Sequence, residues 1–229
     1  MNLGTFGPVS LCLLWVMRRL HDLTGNYAAA IIILTLLIRG ALWPIQNKAT
    51  ASMRQMQELA PRQTELKEKY KDDPARLNQE IMKLYKEYNV NPLAGCLPMF
   101  IQLPVFWGFY RMLGTAIELR GSRFLWVQDL SQPDSILHPA FLSWLHILPL
   151  CMAVTMIAQM SMTPKTGDKS QQQIMLLMPL IFVVFCYNYA SALALYMTVG
   201  NIFSIFQLYV TRKRTAPAPL KPVAKRKNR

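Results

Sequence analysis

Charge is scarce in this chain. Of 229 residues only 16% are Asp, Glu, Lys or Arg, against 52% hydrophobic. A soluble domain carries about 25% charged residues, so the composition excludes an ordinary soluble globular protein. Acids are the scarcer sign, 12 against 25 Lys and Arg, a net charge of +13. None of them falls inside the long apolar runs, which argues against an aspartyl intramembrane protease or a carboxylate proton relay. The four cysteines (Cys12, Cys96, Cys151, Cys186) are widely separated within apolar stretches. That excludes a zinc site or a disulfide framework and leaves packing residues. HExxH, GxSxG, the Walker loop and CxxC are all missing, and His21, His138 and His146 are scattered. No enzyme chemistry and no cofactor or metal is expected. A basic stretch ahead of the first apolar run is missing too: Arg18 and Arg19 follow Val9–Met17, so no signal peptide is expected. Residues 1–22 read instead as an amphipathic helix lying in the membrane interface, its faces divided by Leu11, Leu14, Trp15 and Met17 or Arg18.

What the chain does have is apolar length. A helix needs about 20 largely apolar residues to cross the hydrocarbon core. Five segments approach that: Tyr27–Trp43, Leu93–Ile117, Phe141–Met162, Ile174–Tyr189 and Ser191–Val210. The last two are separated only by the region around Asn188–Ser191, which predicts a tight hairpin. Between the first two lies a charged segment, 46–91, with nine basic and seven acidic residues. Its apolar residues recur at helical spacing: Met56, Leu59, Leu66 and Tyr70, then Leu77, Ile81, Leu84 and Tyr88. Asp73 suits an N-cap and Pro74 the first helical position, so the segment predicts an antiparallel helical hairpin. The hairpin, a short loop over 163–173 and the tail after Val210 together hold 19 of the 25 basic residues. The positive-inside rule puts all three in the cytoplasm. The fold expected is all-α and polytopic, with five transmembrane helices, N-out and C-in. Residues 23–210 form its core, 118–140 an extracytoplasmic loop and 211–229 a basic, disordered tail.

Arg39 is the residue most open to a functional reading. An arginine inside an apolar helix costs several kcal/mol on insertion scales and usually faces a polar cavity. Thr35 and Gln46 share its helix face, at spacings of four and seven. Position alone leaves two readings open, a charge in a water-filled groove or an arginine that snorkels to the nearby cytoplasmic end. Gln102, Thr155, Gln159, Thr198 and Asn201 add polar groups to other spans, each alone more often interhelical glue than a site; Gln102, Thr198 and Asn201 converging with Arg39, Thr35 and Gln46 would line a hydrophilic groove. Met56 and Leu59 on the hairpin are candidates for client contact. So are the flexible methionines near the short loop, such as Met160 and Met162, for which ordinary membrane packing is at least as good a reading. The basic groups Lys165, Lys169, Arg212, Lys213 and Arg214 suit ribosomal RNA or acidic lipid, or simply a solvated topology signal. DNA is not an expected partner. A channel or small-solute transporter remains the alternative from another class, although the spans offer Arg39 no acidic partner and show no internal repeat.

Several motifs resemble one known family. Gly25-Asn26-Tyr27, the run Thr35-Leu36-Leu37-Ile38-Arg39 and Trp43-Pro44 are similar to the start of the core of the YidC/Oxa/Alb membrane protein insertases. So are Asn91 to Pro98 with Gln102-Leu103-Pro104-Val105-Phe106, Phe124-Leu125-Trp126 to Asp129-Leu130, Met178-Pro179, and Leu195-Tyr196 to Asn201. The match covers about Leu20 to Tyr209 and is of the bacterial YidC type. It implies a multi-pass protein of the bacterial inner membrane with a cytoplasm-open hydrophilic groove that does not pierce the bilayer. Arg39 matches the family's groove arginine and Thr35 its neighbour. The hairpin matches a mobile element needed for function, and the tail and short loop match ribosome-contacting elements. The implied partners are nascent membrane proteins, the ribosome, the Sec translocon and the lipid bilayer. Proteobacterial members carry an earlier signal-anchor helix and a large periplasmic domain. The resemblance therefore implies either a short form or a piece of a longer chain. The family's Pro-x-Gly between the last two spans is here Ala190-Ser191-Ala192.

Overall fold

A computed structural model describes residues 7–91, 97–116, 119–134, 146–164 and 169–214. Among them the chain is helical, with no strand longer than an isolated bridge between Phe124 and Val127. The helices are α1 (Gly7–Thr24), α2 (Tyr27–Glu58), α3 (Ala60–Lys69), α4 (Pro74–Glu87), α5 (Leu97–Thr115), α6 (Ile147–Met162), α7 (Lys169–Tyr187) and α8 (Ser191–Arg214). Two of them, α2 and α8, are long and apolar enough to cross a membrane by length and composition, and α6 is a shorter apolar helix.

The helices outrun the apolar segments that announce them. Helix α2 passes straight through Pro44 and continues to Glu58, well into the charged segment. Proline removes one intrahelical hydrogen bond and crowds the carbonyl four residues back, and here that residue is Gly40, which is exposed. Beyond it Gln, Lys, Ala, Met and Arg are all good helix formers. The expected hairpin over 46–91 is therefore α3 and α4 mounted on the end of α2. For the same reason α7 begins at Lys169, inside the loop expected over 163–173, and α8 runs on to Arg214, into the expected tail.

Local signals set the turns. Gly25 ends α1 at φ +65, a conformation glycine adopts without a Cβ penalty. Asn26 then caps α2, its Oδ1 accepting from the amides of Ala28 and Ala29 at 2.8 and 3.4 Å. Asp73 caps α4 by accepting from the Arg76 amide at 3.0 Å, as its sequence position predicts. Helix α4 closes on Asn89 at φ 51, with the Val90 amide donating to Tyr85 and the Asn89 amide to Lys86. This is a Schellman stop in which asparagine takes the left-handed position.

The hairpin has a small core of its own: Leu59, Leu84, Tyr88 and Val90, with Met56, Leu66 and Tyr85 packed against it. Arg62 lies over the Tyr88 ring, 4.9 Å from its centroid, and also donates to its hydroxyl. Burial raises the Tyr85 hydroxyl above its ordinary pKa, against a hydrogen bond with Gln63 that lowers it.

The main core centres on α8, whose residues from Ser191 to Met197 are all buried. Helices α2 and α6 pack along it. Helix α1 lies on α2 and α5 through Ser10, Leu13 and Met17, spaced three and four apart. Its opposite side leaves Leu11 and Trp15 exposed, with Arg19 over the Trp15 ring. The expected tight hairpin of the last two spans holds only at its turn. Helix α7 packs on α6 and meets α5 through aromatic pairs, Phe106–Phe182 at 5.3 Å and Tyr110–Phe185 at 5.9 Å. Those rings draw α7 to α5, while α6 packs against both α7 and α8.

The end of the bundle that carries the 119–134 segment is held by hydrogen bonds from that segment. Asp134 is 1% exposed, and its Oδ2 accepts from the Leu148 amide at 2.6 Å and from Trp126 Nε1 at 3.2 Å. It serves as the cap that α6 lacks locally, since the His146 side chain makes no capping hydrogen bond. The first amides of α8 are satisfied in the same way, Ser191 N by Gln132 O and Ala192 N by Leu130 O. The Ser191 hydroxyl also donates to Gln132 O at 2.6 Å. Serine thus gives the turn a fixed geometry where the family pattern has Pro-x-Gly.

Replacing Asp134 by Ala strands one buried donor, the Leu148 amide, removes the partner of the part-buried Trp126 Nε1, and is expected to cost about 1–3 kcal/mol. The check is the thermal midpoint in detergent, with Asp134→Asn recovering part of the loss. Asp129 supplies a pH test. Burial raises its pKa, but hydrogen bonds from Ser131 and the Gly121 amide, with the charge of Arg120, more than offset this and leave it lowered. A lowered carboxylate stabilises above its unfolded pKa, and that contribution is lost as pH falls through the folded value. Asp129→Asn should therefore flatten the acid limb of midpoint against pH, below about pH 4.

Candidate functional site

The polar side chains singled out within the spans fall into two groups. The first surrounds Arg39. This residue is 8% exposed, and among the described residues its guanidinium has no hydrogen-bond or ion-pair partner. It lies against α8 at Gly200: a Cβ built there would stand 2.8 Å from Nη2, 3.1 Å from Nε and 3.3 Å from Cζ. Tyr196, one turn earlier on α8, is close enough to interact with it electrostatically. Tyr196 is itself 1% exposed, stacked on Phe109 of α5 at 4.0 Å and 17°, and its hydroxyl accepts from Gln102 Nε2 at 2.8 Å. Three helices thus converge: α2 with the cation, α8 with the phenol and the notch, and α5 with the amide that orients the phenol. Thr35 is fully buried one turn from Arg39 and donates to the Ile31 carbonyl of its own helix at 2.7 Å.

The second group lies between α8 and α6. Asn201 is buried and donates to Thr155 Oγ1 at 3.2 Å. Thr198 bonds back to the Ala194 carbonyl at 2.7 Å. At 100° per residue Thr198 stands about 200° around α8 from Gly200, so the structure does not bring it to Arg39. Arg39, Thr35 and Gln102 belong together, while Thr198 and Asn201 belong to the α6 side.

A third contact sits toward the hairpin end of the same helices. Gln207, 4% exposed, donates to the Trp43 carbonyl at 3.3 Å and to Asn47 Oδ1 at 2.9 Å, and Thr211 donates to Asn47 Oδ1 at 3.0 Å. Gln46 is half-buried, and it is its neighbour Asn47 that ties α2 to α8. Trp43 meets Phe203 and Phe206 edge-on at 5.5 and 6.2 Å. Tyr196, Gly200, Ser204, Gln207 and Asn47 are the residues that sequence reasoning passed over. The signal was present: Tyr196, Gly200, Ser204, Gln207 and Thr211 step by four, four, three and four along an otherwise apolar helix.

The contact residues expected on the hairpin divide. Met56 is half-buried against the hairpin core, and Leu59 is 2% exposed within it, so Leu59 packs the hairpin rather than presenting a surface. Lys165 lies outside the described residues, Lys169 opens α7, and Arg212, Lys213 and Arg214 are the last residues of α8.

Burying an isolated cation costs several kcal/mol even after relaxation. With no acid in the spans, Arg39 interacts electrostatically with the Tyr196 phenol, which Gln102 orients. The arrangement offers a fixed positive charge and hydrogen-bonding groups between three helices, which suits attraction of an anionic or polar group.

Comparison with known proteins places the chain. A family model described as 60Kd inner membrane protein matches residues 19–218. A membrane protein insertase YidC of Syntrophus aciditrophicus is 48% identical over 207 residues, covering 90% of this chain and 36% of that protein. One of Syntrophobacter fumaroxidans is 44% identical over 210 residues, with 90% and 38% covered. The chain therefore spans little more than a third of the length of these relatives. A solved structure described as an active YidC insertase with the first transmembrane domain resolved superposes with a TM-score of 0.64 at 29% identity, covering 91% of this chain and 46% of that one. The chain belongs to the 60Kd inner membrane protein family, and the relatives to which it is similar are named YidC membrane protein insertases.

Proposed function

We propose that this chain is the insertase core of a multi-pass protein of the bacterial inner membrane, one that delivers hydrophobic segments of nascent membrane proteins into the bilayer. The observation that carries the reading is Arg39: a buried cation with no counter-ion among the described residues, between α2 and α8, in a chain whose relatives are named membrane protein insertases. Five helices, α2, α5, α6, α7 and α8, are the proposed spans, with the N-terminal side out and the C-terminal side in. The basic hairpin, the short loop before α7 and the tail then face the cytoplasm.

The mechanism follows from solvation. A short polar segment of a client must leave bulk water to start crossing, and desolvation opposes it. A groove that holds a cation and water lowers that cost, and an acidic segment gains Coulomb energy as well. The client's apolar helix then leaves along the lipid-facing side of α5 and α7, driven by hydrophobic transfer of about 25 cal/mol per Å². Leu103 and Trp107 on α5, and Leu177, Leu180 and Val184 on α7, are exposed there. Neither nucleotide nor bond chemistry is needed. Arg212, at the end of α8, and the basic residues beyond it are suited to ribosomal RNA or acidic lipid. Work beside the Sec translocon is part of the same proposal.

The test is insertion into liposomes holding the purified chain, with a two-span client and protease protection as readout. Arg39→Ala should cut insertion of a client with an acidic translocated tail about tenfold, equivalent to about 1.4 kcal/mol, and that of an uncharged counterpart much less. Equal loss for both would remove the electrostatic part of the mechanism. Insertion no better than in empty liposomes, with the chain folded, would shift the reading to a transporter. If the basic groups hold ribosomes electrostatically, co-sedimentation with ribosomes should fall steeply between about 50 and 200 mM salt. A salt-insensitive association would refute that.

A further inference from the structure

Gly200 stands in the middle of α8, a 24-residue helix, and is buried. Glycine is the poorest helix former after proline; Gly40 in α2 has open space where a Cβ would stand, whereas at Gly200 that space is taken. The three heavy atoms nearest to a Cβ at this position all belong to the Arg39 guanidinium, at 2.8, 3.1 and 3.3 Å. Contacts below 3.0 Å are essentially never made by real Cβ atoms, so any side chain at 200 has to push the guanidinium away. The rest of the surround is rigid. Tyr196 is clamped between Phe109 and Gln102, and Thr35 is bonded within α2. The guanidinium, the far end of a flexible side chain, is therefore the group that must yield, away from α8.

We propose that Gly200 is the positioning residue of the groove cation: the missing Cβ seats the Arg39 guanidinium against α8, and the volume at position 200 sets the preference for acidic over neutral translocated segments. The seat rests on geometry alone, and the preference rests also on the insertase reading above. Its head meets the backbone of the neighbouring helix edge-on, through Nε and Nη2, in the space the missing Cβ leaves. At 8% exposure its field is less screened than that of a surface charge. A guanidinium moved out by even a fraction of an ångström gains water and loses that field.

Two measurements on the full-length chain test this. The first is a thermal-midpoint cycle in detergent with Gly200→Ala, Arg39→Ala and the double variant. Without Arg39, alanine at 200 should raise the midpoint by roughly 2 °C through helix propensity alone. With Arg39 present the sign should reverse. Arg39→Lys, which has a compact head and no planar fork, should restore the gain. Gly200→Ser should follow Gly200→Ala in each background. The same gain with and without Arg39 would overturn the seat. The second measurement is the ratio of acidic-tailed to neutral-tailed client insertion. Gly200→Ala should lower it roughly threefold, or about 0.65 kcal/mol by the tenfold-per-1.4 kcal/mol conversion, and should not change it once Arg39 is Ala. Coupling in the midpoint cycle with an unchanged ratio would leave the seat and overturn the specificity. A parent chain that inserts no client would overturn the specificity together with the insertase reading, and the midpoint cycle would still decide the seat.

Discussion

A cation buried among apolar helices, with no counter-ion among the described residues, is the constraint on which the rest of this structure depends. Nothing in hydrocarbon compensates a guanidinium, and the spans contain no acid to do so. The cost can be met only by dipoles and water, and both need room. The last helix supplies that room at Gly200, and farther along the same stripe Gln207 and Thr211 bond to Asn47 of α2. The stripe in turn makes α8 the central helix. Its other sides are satisfied by α6, through Thr155 and Asn201, and by α5, through Phe109 and Gln102.

The two ends of the bundle are tied by different means. At one, the 119–134 segment supplies the caps that α6 and α8 lack, with one buried carboxylate and a run of backbone carbonyls. Ser191 matters there because it bonds to Gln132 through both its amide and its hydroxyl. At the other end a cluster of neutral side chains, Asn47, Gln207 and Thr211, joins α2 to α8.

Much of this was legible in the sequence. Apolar length gave the long helices, and the caps at Asn26 and Asp73 follow from residue type and spacing. Arg39 and Gln102 stood out because polar groups are expensive where they are. Helix ends were less legible, because hydropathy marks where a helix enters an apolar medium and not where its hydrogen bonding stops. That is why α2, α7 and α8 all overrun their apolar segments. Thr198 was grouped with the wrong neighbours because spacing shows which residues share a face but not which helix that face meets. Gly200 was invisible as a site residue, since what matters there is an absent atom and the guanidinium that occupies the gap comes from a helix 161 positions earlier in numbering. Leu59 read as a surface methyl-rich contact because a short hairpin's own core needs few residues, and one of them had to be this leucine.

The unbroken course of α2 has a mechanical consequence. At 1.5 Å per residue its 32 residues make a helix of roughly 48 Å, with the cation about two fifths of the way along and the hairpin at its end. About 28 Å of that helix lies between Arg39 and Glu58, so a tilt of about 5° at the cation would move the start of the hairpin by roughly 2.5 Å. A tilt of that kind would couple the position of the hairpin to the surroundings of the guanidinium.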